Sequence, residues 1–296
     1  MSRLLNRIAG PLLARELVFP EEDFAVSAGE PAMVGPDSVS WRVFRNPVSL
    51  AVGGIAAVLL ELGEPGVRSG VWDHSSFRRE PRERMRRTGL GAMITVYGAR
   101  SRFEAYAARV NAIHAQVHGL TEAGEPYRAD DPQLLRWVQA TAAFGFVEAY
   151  KAFVARLSAG QEDAFYHEAS LGAALYGVED APRSRMEMRS LLTGIAPRLA
   201  PSPVLHEFLG IIRAGAILPA RARWLQPVLA RAAVSLVPFG LRARLGLQGE
   251  PGLGSGGRAL LRLTARVSGA VDVPDAPWAQ AERRLSPGGG GARLRS

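Results

Sequence analysis

Apolar positions recur along most of the chain with the three-to-four-residue spacing of amphipathic helices, and alternating runs joined by hairpin turns are nearly absent. One device punctuates the pattern: a capping residue, then proline, then an apolar-periodic run. It occurs at Asn46-Pro47, Asp131-Pro132 and Ser202-Pro203, with Glu80-Pro81 as a weaker case. Asn, Asp and Ser accept the orphan N–H groups of a first turn, and proline at the first helical position loses nothing. Ser101 with Glu104 has the form of a capping box. The spacing predicts helices over approximately 47–62, 81–98, 101–118, 132–158, 161–176, 184–198, 203–214, 219–236 and 257–268. The expected fold class is all-α: a single multi-helix domain over 41–270, preceded by an irregular N-terminal arm over 1–40. From 271 to 296 the composition shifts to Pro, Gly and Arg, ending RRLSPGGGGARLRS. That basic tail is expected to be disordered. No internal repeat is visible.

Two of these helices carry candidate chemistry. On a 100° wheel, Met85, Thr88, Gly89, Ala92, Thr95 and Val96 of the 81–98 helix share one arc. Arg84 lies at its edge, one turn before Thr88, so the two can meet. Arg87 points about 100° away from Thr88. In the next helix, SRFEAYAARVNAIHAQVHG, the apolar stripe is Phe103, Tyr106, Ala107, Val110, Ile113 and Val117. His114 falls inside that stripe, His118 sits at its margin, and Gly119 reads as the helix stop. A histidine so placed is either a core residue with one hydrogen bond or a ligand.

Composition narrows the chemistry. The 296 residues are 47% hydrophobic, an ordinary value for a folded protein. They contain no cysteine, which excludes disulfides, thiolate-bound zinc, iron–sulfur clusters, covalent haem and cysteine nucleophiles. The net charge of +8 comes almost wholly from arginine, since Lys151 is the only lysine. That lysine lies in an ordinary helical pattern and is not expected to form a Schiff base. The basic residues are spread along the chain without interleaved aromatics, so nucleic-acid binding is not expected. The N-terminal stretch is broken by Pro11, Arg15 and Glu16, unlike a signal peptide. The longest uncharged apolar segment, NPVSLAVGGIAAVLL, is about fifteen residues against the ~20 of a spanning helix. The expectation is a soluble, cytoplasmic protein, with peripheral membrane contact left open.

Taken in order, NPVSLAVGGIAAVLLELGEPGVRSGVWDHSSFRREPRERMRRT, VYG, VNAIHAQVHG and YRADDPQLLRWVQAT resemble the latex-clearing-protein (rubber oxygenase) and MpaB-type oxygenase catalytic-domain family. The resemblance covers roughly residues 40–250. It implies an all-α fold with a globin-like helical core and, from characterised latex-clearing members, a non-covalent haem b. The family's axial histidine matches His114, and its arginine and threonine on the preceding helix match Arg84 and Thr88. His74, in DHSSF, belongs to the family pattern, either as a hydrogen bond across an interhelical turn or as a wall of the cofactor pocket. Departures are Asn111 and His118 where relatives often carry arginines, Arg87 at the distal lysine, Gln139 in place of the histidine of WVH, and Glu64 in place of the histidine of HP.

The resemblance implies a haem-dependent oxygenase acting with dioxygen on an apolar organic substrate. His114 would hold the iron, Arg84 and Thr88 would act beside it, and His118 and His74 would adjoin the cofactor. Two alternatives stand beside this. A non-haem iron site would use His114 and His118 at i,i+4 spacing with a carboxylate such as Glu64. A helical binding module would hold a lipid-like ligand and catalyse nothing.

Overall fold

Asn46 organises the start of the central helix. Its side-chain oxygen accepts the N–H groups of Val48 (3.0 Å) and Ser49 (3.4 Å), and its amide donates to Ala265 O at 2.9 Å. Capping α2 (Pro47–Glu61) and tethering it to α12 (Ser255–Gly269) are therefore one act. The structure, a computed structural model, describes residues 10–286 apart from 12, 15, 16 and 216.

Those residues contain thirteen α-helices: α1 (Val39–Val43), α2, α3 (Pro65–His74), α4 (Pro81–Tyr97), α5 (Arg100–His114), α6 (Pro132–Phe153), α7 (Ala159–Leu175), α8 (Arg185–Ile195), α9 (Pro203–Ala214), α10 (Gln226–Leu236), α11 (Phe239–Arg244), α12 and α13 (Pro277–Leu285). Two 3-10 turns, Ala196–Arg198 and Ala220–Leu225, interrupt them. One antiparallel hairpin, β1 (His118–Leu120) with β2 (Pro126–Arg128), pairs His118 with Arg128. The fold is all-α. Among the described residues, no single helix is long and apolar enough to cross a membrane.

α2 lies at the centre, with α6, α10 and α12 packed around it. Its contact with α6 is backbone against backbone. A Cβ on Gly53 would stand 2.8 Å from Gly145 O, and one on Gly145 would stand 2.4 Å from Gly53 O. Neither carbonyl can swing away as a side chain would. We expect Gly145→Ala to destabilise the protein by about 3 kcal/mol, the upper range of overpacking. Urea unfolding checks this, and a loss within about 0.5 kcal/mol, as at an ordinary surface site, would contradict it.

The proline-initiated helices start where the sequence places them. Asp131 accepts from Gln133 N (2.8 Å) and Leu134 N (3.2 Å), and Ser202 accepts from Val204 N (3.3 Å). Glu80 makes no side-chain cap. Three expectations need correction. The Ser101–Glu104 capping box is absent, because α5 begins at Arg100 and Ser101 is held instead by the Glu30 carboxylate. The residues before His74 form a helix, α3, which Glu64 caps through Val67 N (2.9 Å). The tail is not disordered from 271: α13 buries Trp278, Ala281 and Arg284. Arg284 donates to Phe24 O and Glu30 O, and so fastens the arm to the body. The end of the expected disordered tail, 287–296, lies outside the described residues.

Candidate active site

Close packing normally leaves a protein interior few voids larger than a water molecule. Here a cavity of about 1410 Å³ opens beside α2, walled also by α4, α6 and parts of α5, α7, α10 and α12. Its lining is mostly apolar, with Val58, Met85, Ala143 and Phe146 typical. Its polar lining residues include Glu61, Arg84, Arg87, Thr88, Tyr106, Gln139 and Glu168.

α4 supplies Arg84, half-buried, and Thr88, exposed, and both line the cavity. The Arg84 guanidinium donates to Thr88 Oγ1, whose own proton goes to Arg84 O at 3.0 Å. Thr88 thus spends both hydrogen-bonding directions on aiming the arginine. Burial lowers the Arg84 pKa from its ordinary value, while Glu61 works against that shift. Arg87 is exposed and donates to Ser76 Oγ at 2.7 Å. Gly91 makes room for Tyr106, because a Cβ there would meet the phenol oxygen at 2.5 Å. Burial raises the Tyr106 pKa, with Arg109 and Arg84 opposing it.

Glu61 is the group that the sequence reading overlooked. It ends the otherwise apolar helix α2, and its accessible surface faces the cavity. Burial pushes its carboxyl up to about 7, against the pull of Arg84 and a contact from Thr141 Oγ1 at 3.4 Å. One signal was present: an acid at the C-terminal end of a helix faces the unfavourable pole of the helix dipole. Such a residue is retained for a reason other than helix stability.

His114 is the last residue of α5 and half-buried. Its Nδ1 is shielded from solvent and has no hydrogen-bond partner among the described residues. Burial lowers its pKa, Arg84 lowers it further, and Asp130 opposes both. The ring is therefore neutral at pH 7. It is not among the residues that line the cavity, whereas Val110, one turn earlier, is.

The structure does not bring the other two histidines to this place. α5 stops at His114, so His118 is not on its face but exposed on β1. Gly119 is not a helix stop: Tyr127 covers it so closely that a Cβ would stand 3.1 Å from the ring. The turn that follows α5 is fixed by this hairpin, whose pairing helical periodicity cannot reveal. His74 is exposed at the end of α3. Ile113, expected in the buried stripe, is also exposed. Glu64 is committed to the α3 cap and to Arg198 at 2.9 Å. Among the described residues no three His, Asp or Glu side chains converge as a metal site, which corrects the His114–His118–Glu64 alternative. Lys151 is held by Glu148 (2.7 Å) and Glu162 (2.8 Å), and its pKa is raised, so it is no free amine.

A model of the family described as "ER-bound oxygenase mpaB/B'/Rubber oxygenase, catalytic domain" matches residues 41–270. The chain belongs to this family. Its domain is thus an oxygenase catalytic domain, which indicates an enzyme of the oxidoreductase class. Comparison with curated proteins and with solved structures gives no match. Within the family domain, Gln139 lines the cavity and Asn111 donates to Leu175 O at 2.9 Å. The Asn111 side-chain oxygen, one turn before His114, is buried with no partner among the described residues.

Proposed function

We propose that this domain is a haem b-dependent oxygenase that uses dioxygen on an apolar organic substrate. The observation that carries the reading is the cavity, about 1410 Å³ of mostly apolar space, lined by Val110 one turn before His114, a neutral imidazole whose Nδ1 has no partner among the described residues. The donor set fits the group. Neutral imidazole suits iron, a non-covalent haem needs no cysteine, and an apolar wall suits a flat macrocycle. His114 would hold the iron, and Arg84, which lines the cavity and acts electrostatically on His114, would meet an anionic edge of the cofactor. When bound, haem supplies the metal at which dioxygen is activated.

The protein's own groups do the rest. Apolar side chains exclude water and hold a substrate by area rather than by charge. Thr88 fixes the Arg84 guanidinium so that its positive charge points along the cavity wall. Glu61, with a carboxyl that titrates near neutrality, holds or releases a proton at the cavity surface.

Haemin titration of the purified chain tests the proposal. A Soret band that saturates at one haemin per chain is expected, and its absence at stoichiometric haemin would overturn the reading. A second reading, a non-catalytic carrier of a lipid-like molecule, draws support from the position of His114 outside the cavity lining. Native mass spectrometry showing bound lipid and no haem after the same titration would favour it.

A further inference from the structure

Positive charge is distributed unevenly over the molecule. Many arginines are neutralised locally, as in Arg45–Glu282, Arg86–Glu21 and Arg102–Glu22. From Ile217 to Ala270, however, eight arginines stand against one glutamate, so nearly all of the chain's net +8 resides there. That glutamate, Glu250, is already taken by Arg213 and by His206 at 3.1 Å. None of the eight has a carboxylate partner among the described residues; Arg223, Arg242 and Arg262 donate only to the carbonyls of Leu218, Val237 and Ala152.

The same stretch exposes large apolar side chains: Phe239 at 89%, Trp224 at 61% and Leu263 at 59%. α12 shows the pattern most clearly. Leu261 and Ala265 are buried, while Ala259, Arg262, Leu263, Arg266 and Val267 face outward. A solvated helix face normally mixes both signs of charge with neutral polar groups. From 259 to 267 this one carries guanidinium groups and aliphatic carbons and no acid. α10 runs alongside: Leu253 N–H, just before α12, donates to Ser235 Oγ at 2.7 Å, and Arg231 of α10 is exposed. On their inner sides these elements line the cavity through Leu225, Leu229, Leu261 and Thr264. One layer of side chains separates the cationic surface from the apolar space.

We propose that this surface docks on a bilayer containing anionic phospholipid. Arg262 and Arg266 bind headgroup phosphates, Leu263 and Val267 enter the boundary between headgroups and acyl chains, and the cavity lies behind the docked face. Two features favour this occupant. Aliphatic side chains between arginines gain nothing from a phosphate backbone but are stabilised in the membrane interface. A second copy of the chain would bring two acid-free arginine faces together, and these repel. The inference concerns attachment and goes beyond the haem reading, which it neither needs nor supports.

Co-sedimentation of the full chain with vesicles tests it. Vesicles of phosphatidylcholine with about one third phosphatidylglycerol should pellet the protein, vesicles of phosphatidylcholine alone should not, and high salt should release it. Arg262→Ala with Arg266→Ala should weaken partitioning roughly 25-fold, about fivefold for each arginine near an anionic surface. Leu263→Ser should weaken it several-fold further without lowering affinity for duplex DNA. All these positions are exposed, and thermal melting monitored by circular dichroism verifies that the variants stay folded. Equal pelleting on neutral and anionic vesicles, a double variant within twofold of the parent, or binding to duplex DNA with none to vesicles would each overturn the proposal.

Discussion

Replacing His114 with alanine is expected to weaken haemin binding at least ~100-fold and to abolish the saturable Soret band. Even the hydrogen-bonding partners of a metal-bound histidine are worth 10- to 100-fold in affinity, so the ligand itself should be worth no less. The imidazole is suited to the role because burial and the neighbouring Arg84 keep it neutral, and its Nδ1 is committed to nothing. Lone pairs on a neutral ring remain available at pH 7, whereas a protonated ring has none. Binding should therefore persist unchanged as pH falls toward the ordinary histidine range and fail only below the lowered pKa of the group. The fold should survive the substitution, since the ring is half-buried and its Nδ1 has no hydrogen-bond partner among the described residues. Optical titration of both proteins, with circular dichroism as a control, reads the effect. A variant that binds haemin as the parent does removes His114 from the site.

The second large effect falls on Glu61 and is read as stability. Its carboxyl is raised from 4.5 to about 7 in the folded protein, chiefly by burial. Between those two values the folded chain holds a proton that the unfolded chain has released. Stability therefore falls as pH rises through this window; it is intact below about pH 4.5, and the loss is complete above about pH 7. A displacement of this size corresponds to about 3 kcal/mol, taken as an order of magnitude. Glu61→Gln removes the charge while keeping the shape. It should make the protein up to ~3 kcal/mol more stable than the parent at pH 8, and the difference should shrink to about 1 kcal/mol at pH 5. Urea unfolding at the two pH values measures the difference. Equal stabilisation at both would mean that the carboxylate is not strained. A protein that retains such a group loses stability for it, as functional sites commonly do.

These two residues also mark how far the sequence could be read. The helices that begin at a capped proline were legible because every determinant is local: a side-chain oxygen, a proline at the first position and an apolar stripe. The Arg84–Thr88 contact was legible for the same reason, since i,i+4 neighbours meet whatever surrounds them. The family signature placed His114 among the candidates, and the matching family model supports the membership on which that placement rests.

What failed was non-local. His118 left the face of α5 because a hairpin pairs it with Arg128, and Gly119 is constrained by Tyr127 rather than by a helix end. α13 reads as a tail because its stretch is rich in Pro, Gly and Arg, yet the N-terminal arm supplies its partners across the molecule. Glu61 drew no notice at the end of an apolar helix, because only α4 and α6 closing around it hold its carboxyl near neutrality.

By itself, then, the sequence determined where helices start, which arginine and threonine meet, and which chemistries lack the residues they need. Only the tertiary structure decided which groups share the cavity and which carboxyl is held near neutrality. Capping and periodicity act within a turn or two of the chain, whereas burial and desolvation depend on segments far apart in sequence arriving at one place.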